Sequence, residues 1–256
     1  MQEKEQAAPS FPEGVLPPGF LKAWGLQAPA LRGPKADLTV GRIVRAGIET
    51  ADAEGLGSLT MARVARVLGY TTMSLYRHVE SKDELLVLMQ DAAYGSPPPV
   101  SATGWRDRAM EWAENVSARY RRHAWVLDIP ISHMPSTPGQ LKWLEQLLGA
   151  LRETGLSSPD KLGAALMISN VVATTSRLER DLAMNPVNLT DEGGDAYVRA
   201  LFSVLDPAVF PEILSVFGDP EMGASSDPGY EIHFALPRAL DGIERLMEHR
   251  AASRPD

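Results

Sequence analysis

Residues 71–86 read TTMSLYRHVESKDELL and bring hydroxyl, aromatic and cationic side chains together in one short segment. On a helix, Leu75 and Val79 share one face, whereas Met73 and Arg77 point the opposite way. The flanks of that helix carry Thr72, Ser74 and Tyr76. Groups of these kinds contact the base edges, thymine methyls and phosphates of DNA. A short helix, roughly Thr72–Val79, is therefore predicted to be a DNA recognition helix, with a surface helix of mixed composition as the alternative.

A second helix precedes this segment. In MARVARVLG (61–69), Met61, Val64 and Leu68 recur at helical spacing, and Gly69 provides a stop. Two helices joined by a short turn that contains glycine have the spacing of a helix-turn-helix, whose second helix enters the major groove.

Lys82 stands where a phosphate would be held. Ser81 and Glu84 have the spacing of a capping box, so a helix is predicted to begin at Lys82. A lysine there is mildly unfavourable beside the positive end of the helix dipole. A DNA phosphate at that position would meet backbone N–H groups, the dipole and the ammonium together. The alternative is a solvated lysine that tolerates the dipole.

The charges are unevenly distributed along the chain, whose formal net charge is −8. Residues 32–82 hold eight Lys and Arg against five Asp and Glu, a balance of +3, whereas residues 83–256 hold fifteen against twenty-five, a balance of −10. A basic segment on an acidic body suits local binding of a polyanion. The chain has no cysteine, which excludes disulfides, thiolate metal sites and thiol nucleophiles.

Helical spacing of apolar residues runs from Leu38 to the C-terminus, and no stretch alternates with the period of a strand. The predicted fold is therefore all-α, with an N-terminal three-helix helix-turn-helix domain followed by a C-terminal helical domain. Three prolines and two glycines in GSPPPVSATG (95–104) indicate the boundary between them. The predicted divisions are a flexible N-terminal arm over 1–37, the helix-turn-helix domain with its linking helix over 38–95, a proline-rich connector over 96–104, the C-terminal domain over 105–250 and a tail over 251–256.

Other functional classes lack their motifs. No basic segment followed by an apolar core opens the chain, and the apolar stretch 162–175 is shorter than the ~20 residues of a membrane span, so a cytoplasmic protein with no membrane partner is expected. No nucleophile elbow, H-E-x-x-H, P-loop or dinucleotide fingerprint occurs, so neither enzymatic activity nor a cofactor is expected. His123, His133 and Asp128 fit no compact ligand spacing, so no metal site is predicted. A helical adaptor that binds protein through 60–82 is a further alternative.

The sequence LTMARVARVLGYTTMSLYRHVESKDELL (59–86) strongly resembles the DNA-binding region of the TetR/AcrR family of transcriptional regulators. The resemblance covers about residues 38–90. It rests on the threonine that opens the helix 61–68, the alanine at the centre of that helix, the LG that ends it, and the LYRHV and ELL that follow. It implies nine or ten helices, a homodimer, and a C-terminal domain for ligand binding and dimerisation. The implied function is a repressor that a small apolar or amphipathic effector releases from double-stranded operator DNA.

The resemblance also assigns roles to single residues. The implied DNA-binding residues are Thr60, Arg63, Thr71, Thr72, Met73, Ser74, Tyr76, Arg77, His78 and Lys82. Among them, those implied to face bases are Thr72, Met73 and Ser74, and those implied to contact the DNA backbone are Tyr76 and His78. Thr60 and Lys82 would contact phosphates, and Arg77 a base or a phosphate. Ala62 stands where some members have a base-reading arginine, so base reading is expected to depend more on Arg77 and Arg63.

The C-terminal half offers candidates for an apolar ligand pocket with a few polar side chains. These candidates are Met110, Trp112, Trp125, His133, Met134, Trp143, Met167, Asn170, Thr174 and Phe202. The alternative is that most of them belong to the core, as aromatic and methionine residues at helical spacing usually do.

Two further expectations concern assembly and the arm. Small residues at 163–165, in a long helix predicted over 159–184, allow another helix to approach closely, and together with 230–250 they would build a two-fold dimer interface. The connector Pro97–Pro99 and the helix over 81–94 would transmit a ligand-dependent change to the recognition helices. Arg32 and Lys35 would lie along the duplex or enter a minor groove, with a solvated tail as the alternative.

Overall fold

The computed structural model of the chain describes residues 16–26, 38–131, 134–184, 192–219 and 230–253. These residues form helices, turns and loops and contain no strand, which confirms the predicted all-α class. The α-helices in chain order are α1 (Phe20–Ala23), α2 (Val40–Glu54), α3 (Met61–Leu68), α4 (Thr72–Tyr76), α5 (Lys82–Tyr94), α6 (Trp105–Arg122), α7 (Pro138–Ala150), α8 (Ser158–Ala183), α9 (Glu192–Val204), α10 (Pro211–Phe217) and α11 (Tyr230–Ala252). Short 3-10 helices occur at Leu56–Ser58 and Ala124–Asp128.

Hydroxyl side chains set the starts of α2 to α5. The side-chain oxygens of Thr39, Thr60, Thr71 and Ser81 each accept a hydrogen bond from the backbone N–H three residues further on, at 3.0–3.3 Å. Such a cap satisfies a donor that the first helical turn leaves without a partner. The end of α3 is set by Gly69, whose φ of 76° is the left-handed conformation that glycine adopts without strain.

The core of the N-terminal region lies among α2, α3, α4 and α5. Its fully buried side chains include Ile43, Leu59, Leu75, Leu85 and Met89. Trp125 and Val126, from the 3-10 helix after α6, join the same cluster. Helices α2 and α5 approach closely at Gly47, where an added Cβ would lie 2.7 Å from Met89 Sδ.

The chain packs as two compact units, Met1–Ala165 and Leu166–Asp256. The predicted connector over 96–104 therefore lies inside the first unit. Its residues are held by side chains of the following helices: Gln146 Nε2 donates to Pro98 O at 2.7 Å, and the Glu111 carboxylate accepts the N–H groups of Ser101 and Ala102 at 2.9–3.1 Å. These contacts pack the connector against the following helices inside the first unit, and the domain boundary at 96–104 stays a prediction.

The second unit comprises the rest of α8 with α9, α10 and α11. Its buried apolar side chains include Ile168 and Val172 on α8 and Leu236, Leu240 and Ile243 on α11. Helix α10 buries no residue. Helix α11 continues to Ala252 and so includes the first two residues of the predicted tail.

Part of the predicted flexible arm is structured. Residues 16–26 contain α1 and pack against the rest of the first unit, where Lys22 Nζ lies 2.7 Å from Glu84 Oε1 and Trp24 Nε1 donates to Ser136 O at 2.9 Å. The prediction of flexibility is wrong for this part, because these contacts join residues far apart in the sequence and no local pattern indicates them. The rest of the arm, including Arg32 and Lys35, lies outside the described residues.

Candidate nucleic-acid interface

Helices α3 and α4 form the helix-turn-helix, with the turn at residues 69–71. Leu75 and Val79 are fully buried, as the helical angle requires, while Met73 is 71% and Tyr76 44% exposed. The regular helix ends at Tyr76 rather than at the predicted Val79. The backbone N–H groups of His78 and Val79 both donate to Leu75 O, so the chain closes in a turn there. The segment thus anchors itself on two side chains and leaves an outer face to solvent.

Cationic side chains on this face are available to a ligand. Arg77 and Lys82 are exposed, and neither side chain makes a hydrogen bond or an ion pair to another residue in the part of the chain that the structure describes. Lys82 occupies the first position of α5, where the helix dipole favours an anion. Thr72 and His78 lie beside them and are half-buried.

Two of the implied DNA-binding hydroxyls also support the backbone. Thr60 Oγ1 caps α3, and Thr71 Oγ1 caps α4 while lying 3.0 Å from Ser74 Oγ. As an acceptor in the cap, the Thr60 hydroxyl keeps its own hydrogen, which can be donated to a phosphate.

The start of α5 departs in one detail from the predicted capping box. Ser81 Oγ accepts from the Glu84 N–H at 3.0 Å, as expected. The Glu84 carboxylate, however, accepts from the N–H of Glu80 rather than from that of Ser81. Glu84 is buried, and its other oxygen pairs with Lys22.

Arg63, which the resemblance assigns to DNA binding, forms an ion pair with Glu54 in this structure. Its Nε donates to Glu54 Oε2 at 3.2 Å, and its Nη2 pairs with Glu54 Oε1. This hydrogen bond lowers the pKa of the Glu54 carboxyl and raises the pKa of the Arg63 guanidinium. The pair borders an open depression of about 570 Å³ lined by Glu54, Ser58, Thr60, Ala62, Arg63 and Arg66. Glu54 carried no sequence signal, because its approach to Arg63 depends on how α2 and α3 cross.

The three tryptophans among the ligand candidates have structural partners. Trp112, Trp125 and Trp143 are buried, and their indole N–H groups donate to Trp143 O, Asp52 Oδ1 and Tyr94 O at 2.9, 2.7 and 3.1 Å respectively. These bonds account for their burial without a ligand, which is the alternative that the sequence left open. Trp125 moreover packs in the core of the helix-turn-helix region.

The other ligand candidates differ in exposure and belong to both units. Met134 is 73% exposed, Met167, Asn170 and Thr174 are exposed, and Met110 and Phe202 are half-buried. Residues 110–143 of the set belong to the first unit, residues 167–202 belong to the second, and His133 lies outside the described residues. Their role in ligand binding stays a prediction.

Two further observations concern metal ligands and membrane-spanning helices. Within the described ranges, no three His, Asp or Glu residues cluster as metal ligands would, and the Nδ1 of His123 lies 2.9 Å from Asp52 Oδ1. None of the described helices combines the length and the apolar character needed to cross a membrane.

Two family models match the chain. Residues 43–89 match the bacterial regulatory proteins of the tetR family, and residues 98–247 match the tetracyclin repressor-like C-terminal domain. The chain is 39% identical over 225 residues to the HTH-type transcriptional repressor DrrR1 of Streptomyces coeruleorubidus, which covers 86% of this chain and 82% of that protein.

Solved structures of regulatory proteins also align with the chain. ActR of Streptomyces coelicolor in complex with actinorhodin aligns with a TM-score of 0.66 at 26% identity, over 82% of this chain and 96% of that one. BioQ with its double-stranded DNA operator aligns with a TM-score of 0.52 at 25% identity, over 56% and 88%.

These matches confirm the resemblance predicted from residues 59–86, and they place the chain among regulators rather than enzymes. The exposed face of α4 and the first residue of α5 lie within the N-terminal match, and the C-terminal match alone spans more than half of the chain. The chain belongs to the TetR family of bacterial transcriptional regulators.

Proposed function

We propose that this protein is a cytoplasmic, homodimeric repressor that binds operator DNA through α4 and the start of α5, and that a small apolar or amphipathic ligand releases it. The observation that carries the proposal is the exposed set Met73, Tyr76, Arg77 and Lys82, whose two cations have no partner among the described residues. The repressor DrrR1 and the operator complex of BioQ support the same interpretation.

The residues of this face divide into two kinds of contact. Met73 and the hydroxyls at 72 and 74 suit base edges and thymine methyls, and Arg77 suits a guanine or a phosphate. Lys82 and Thr60 suit phosphates, since each lies at the start of a helix. Phosphate contacts would set the register of the protein, and the contacts of α4 would read the sequence.

Dimerisation is proposed through the second unit and the adjoining part of α8. Apolar side chains that remain exposed on this single chain include Leu166, Leu178, Leu182, Met184, Tyr197, Val204 and Phe234. Exposed apolar surface is what a second copy or a ligand covers. Two recognition helices must lie about 34–36 Å apart to enter successive major grooves, so a symmetric dimer suits the proposed operator binding.

The ligand proposal is supported by relatives. ActR forms complexes with actinorhodin and with (S)-DNPA. An amphipathic ligand of this general kind suits a helical domain rich in exposed apolar side chains. Ligand binding would favour a dimer whose recognition helices no longer match the groove spacing.

A route for that change is proposed along α5. Helix α7 makes two hydrogen bonds to α5: Gly139 N donates to Asp91 Oδ1 at 2.6 Å, and Trp143 Nε1 donates to Tyr94 O at 3.1 Å. A shift of α7 would therefore move α5, whose first residue is Lys82.

The test is a gel-shift titration of the purified protein on the DNA upstream of its own gene. Wild type is expected to bind at low salt, and Arg77→Ala to lose most of that affinity while keeping its oligomeric state in solution. Arg199→Ala removes an exposed arginine of the second unit and serves as the control, with wild-type affinity expected. A purified dimer that does not bind this DNA would refute the proposal. Binding of a protein partner that is lost when Tyr76 is substituted would favour the adaptor alternative.

A further inference from the structure

Residues 16–26, called here the docked segment, lie outside both regions that match the family. The segment lies against the first turns of α5. Gly19 has a φ of 76°, and a Cβ there would lie 3.1 Å from Glu84 Cγ and 3.3 Å from Glu84 O. Only glycine combines this conformation with so close an approach.

The docked segment supplies the counter-charge of a buried carboxylate. Lys22 Nζ lies 2.7 Å from Glu84 Oε1, and the side chains of the two residues are only 12% and 6% exposed. Glu80 lies on the outer side of the same ammonium, at 3.6 Å. The other oxygen of Glu84 is occupied by the N–H of Glu80. Without Lys22, α5 would begin with a buried carboxylate that has no cation, which is strongly unfavourable.

The other end of the docked segment holds the turn before α7. Trp24 Nε1 donates to Ser136 O at 2.9 Å, and the neighbouring Gly139 N donates to Asp91 Oδ1 on α5 at 2.6 Å. The docked segment therefore bridges the beginning of α5 and the beginning of α7, the two helices whose relative position would set that of Lys82.

We propose that the docked segment fixes the start of α5 for DNA binding, with Lys22 as a positioning residue that compensates the Glu84 carboxylate two residues from Lys82. This inference rests on the proposed function of Lys82. Three carboxylates lie within two residues of Lys82, those of Glu80, Asp83 and Glu84, and their charges oppose the approach of a phosphate. Lys22 neutralises the buried carboxylate of Glu84 and lies near that of Glu80. It therefore preserves both the geometry and the local charge around Lys82.

The experiment compares the full-length variants Lys22→Met, Glu84→Gln and the double variant. Operator affinity is measured under conditions where circular dichroism shows each protein to be fully folded. Lys22→Met keeps the aliphatic stem but leaves Glu84 unpaired, so its operator affinity is expected to fall by about tenfold or more. The double variant removes both charges and is expected to recover most of the affinity. Lys161→Met is the control with wild-type affinity expected, because it removes another half-buried lysine, whose Nζ donates to Arg152 O at 3.2 Å, at a site remote in sequence from α5.

Several outcomes would overturn the inference. A folded Lys22→Met protein with wild-type operator affinity would limit Lys22 to a stabilising role, and a double variant as weak as Lys22→Met would disconnect the loss from Glu84. If Lys22→Met does not fold, Trp24→Phe decides, because it removes only the indole N–H donor to Ser136. A several-fold loss of operator affinity is then expected, and wild-type affinity contradicts the inference. Failure of the proposed function is distinguishable, since wild type itself would then not bind or Arg77→Ala would bind normally.

Discussion

Single side chains on the DNA-facing surface have a structural role as well as a proposed binding role. The hydroxyls of Thr60 and Thr71 each cap a helix in the absence of DNA. A cap of this kind contributes about 1 kcal/mol to stability. A substitution of Thr60 therefore removes a stabilising hydrogen bond together with any phosphate contact. A loss of DNA binding identifies a contact only where the folded fraction has been measured alongside it.

Glu54 places a carboxylate beside Arg63 and Arg66 at the edge of the proposed interface. The carboxylate attracts both guanidinium groups and so opposes their attraction to phosphates. Glu54→Gln is expected to raise the affinity for random-sequence DNA by a few-fold and to steepen its dependence on salt, because two more cations then face the phosphates. Fluorescence anisotropy over a salt series measures both quantities.

The control for Glu54→Gln is Glu114→Gln, which changes the net charge equally at an exposed position on α6. An equal gain in DNA affinity in both variants would attribute the effect to net charge and not to the arginines beside Glu54.

Among the elements, α2 and α5 make a very close contact in the helix-turn-helix region, and a substitution there tests the packing. Gly47→Ala would place a Cβ 2.7 Å from the sulfur of Met89, which is fully buried. The variant is expected to lose about 1–3 kcal/mol of unfolding free energy, the usual cost of overpacking. Urea denaturation followed by circular dichroism measures it.

Gly41, on the same helix, provides the matched comparison. A Cβ at Gly41 meets nothing within 4 Å. Gly41→Ala is therefore expected to raise the unfolding free energy by about 0.5–1 kcal/mol, since alanine loses less backbone freedom in a helix. Two alanine substitutions with effects of the same sign would contradict the close contact at Gly47.

Elements with a local signal were predictable from the sequence, and elements held by distant contacts were not. Helices such as α8 follow from apolar spacing, and α3 follows also from its threonine cap and terminal glycine. Helix α1 has only four residues, and the docked segment is held by an ion pair to Glu84 and by a bond to Ser136, 112 residues from Trp24. No local pattern carries that information.

The candidate interface likewise has features that the sequence predicts and features that it does not. The outward position of Met73 and Arg77 follows from the angle between successive residues of a helix, once Leu75 and Val79 are assigned to the core. The pairing of Arg63 with Glu54 depends on the crossing of two helices. The burial of the three tryptophans likewise comes from bonds between elements, so residue type alone could not separate core from ligand site.

For the whole molecule, the proposed repression and release would require two states of the proposed dimer that differ in the distance between the two recognition helices. A change from 99:1 to 1:99 in their populations needs about 5.5 kcal/mol of differential ligand affinity. A tightly packed first unit suits such a change, because α5, α7 and the docked segment would move together. The acidic net charge of −8 is no obstacle, since the cations proposed to face DNA are Arg77 and Lys82 on one local face.

The salt dependence of operator binding tests the DNA contact and the dimer together. Each phosphate contact contributes about −0.9 to the slope of log affinity against log salt concentration on duplex DNA. Lys82→Ala removes one such contact per protomer, so the slope for a dimer is expected to become shallower by about 1.8. The substitution itself is mild, because a lysine at the first position of α5 does not favour the helix. A change of about 0.9 would indicate one bound protomer per operator, and an unchanged slope would show that Lys82 contacts no phosphate.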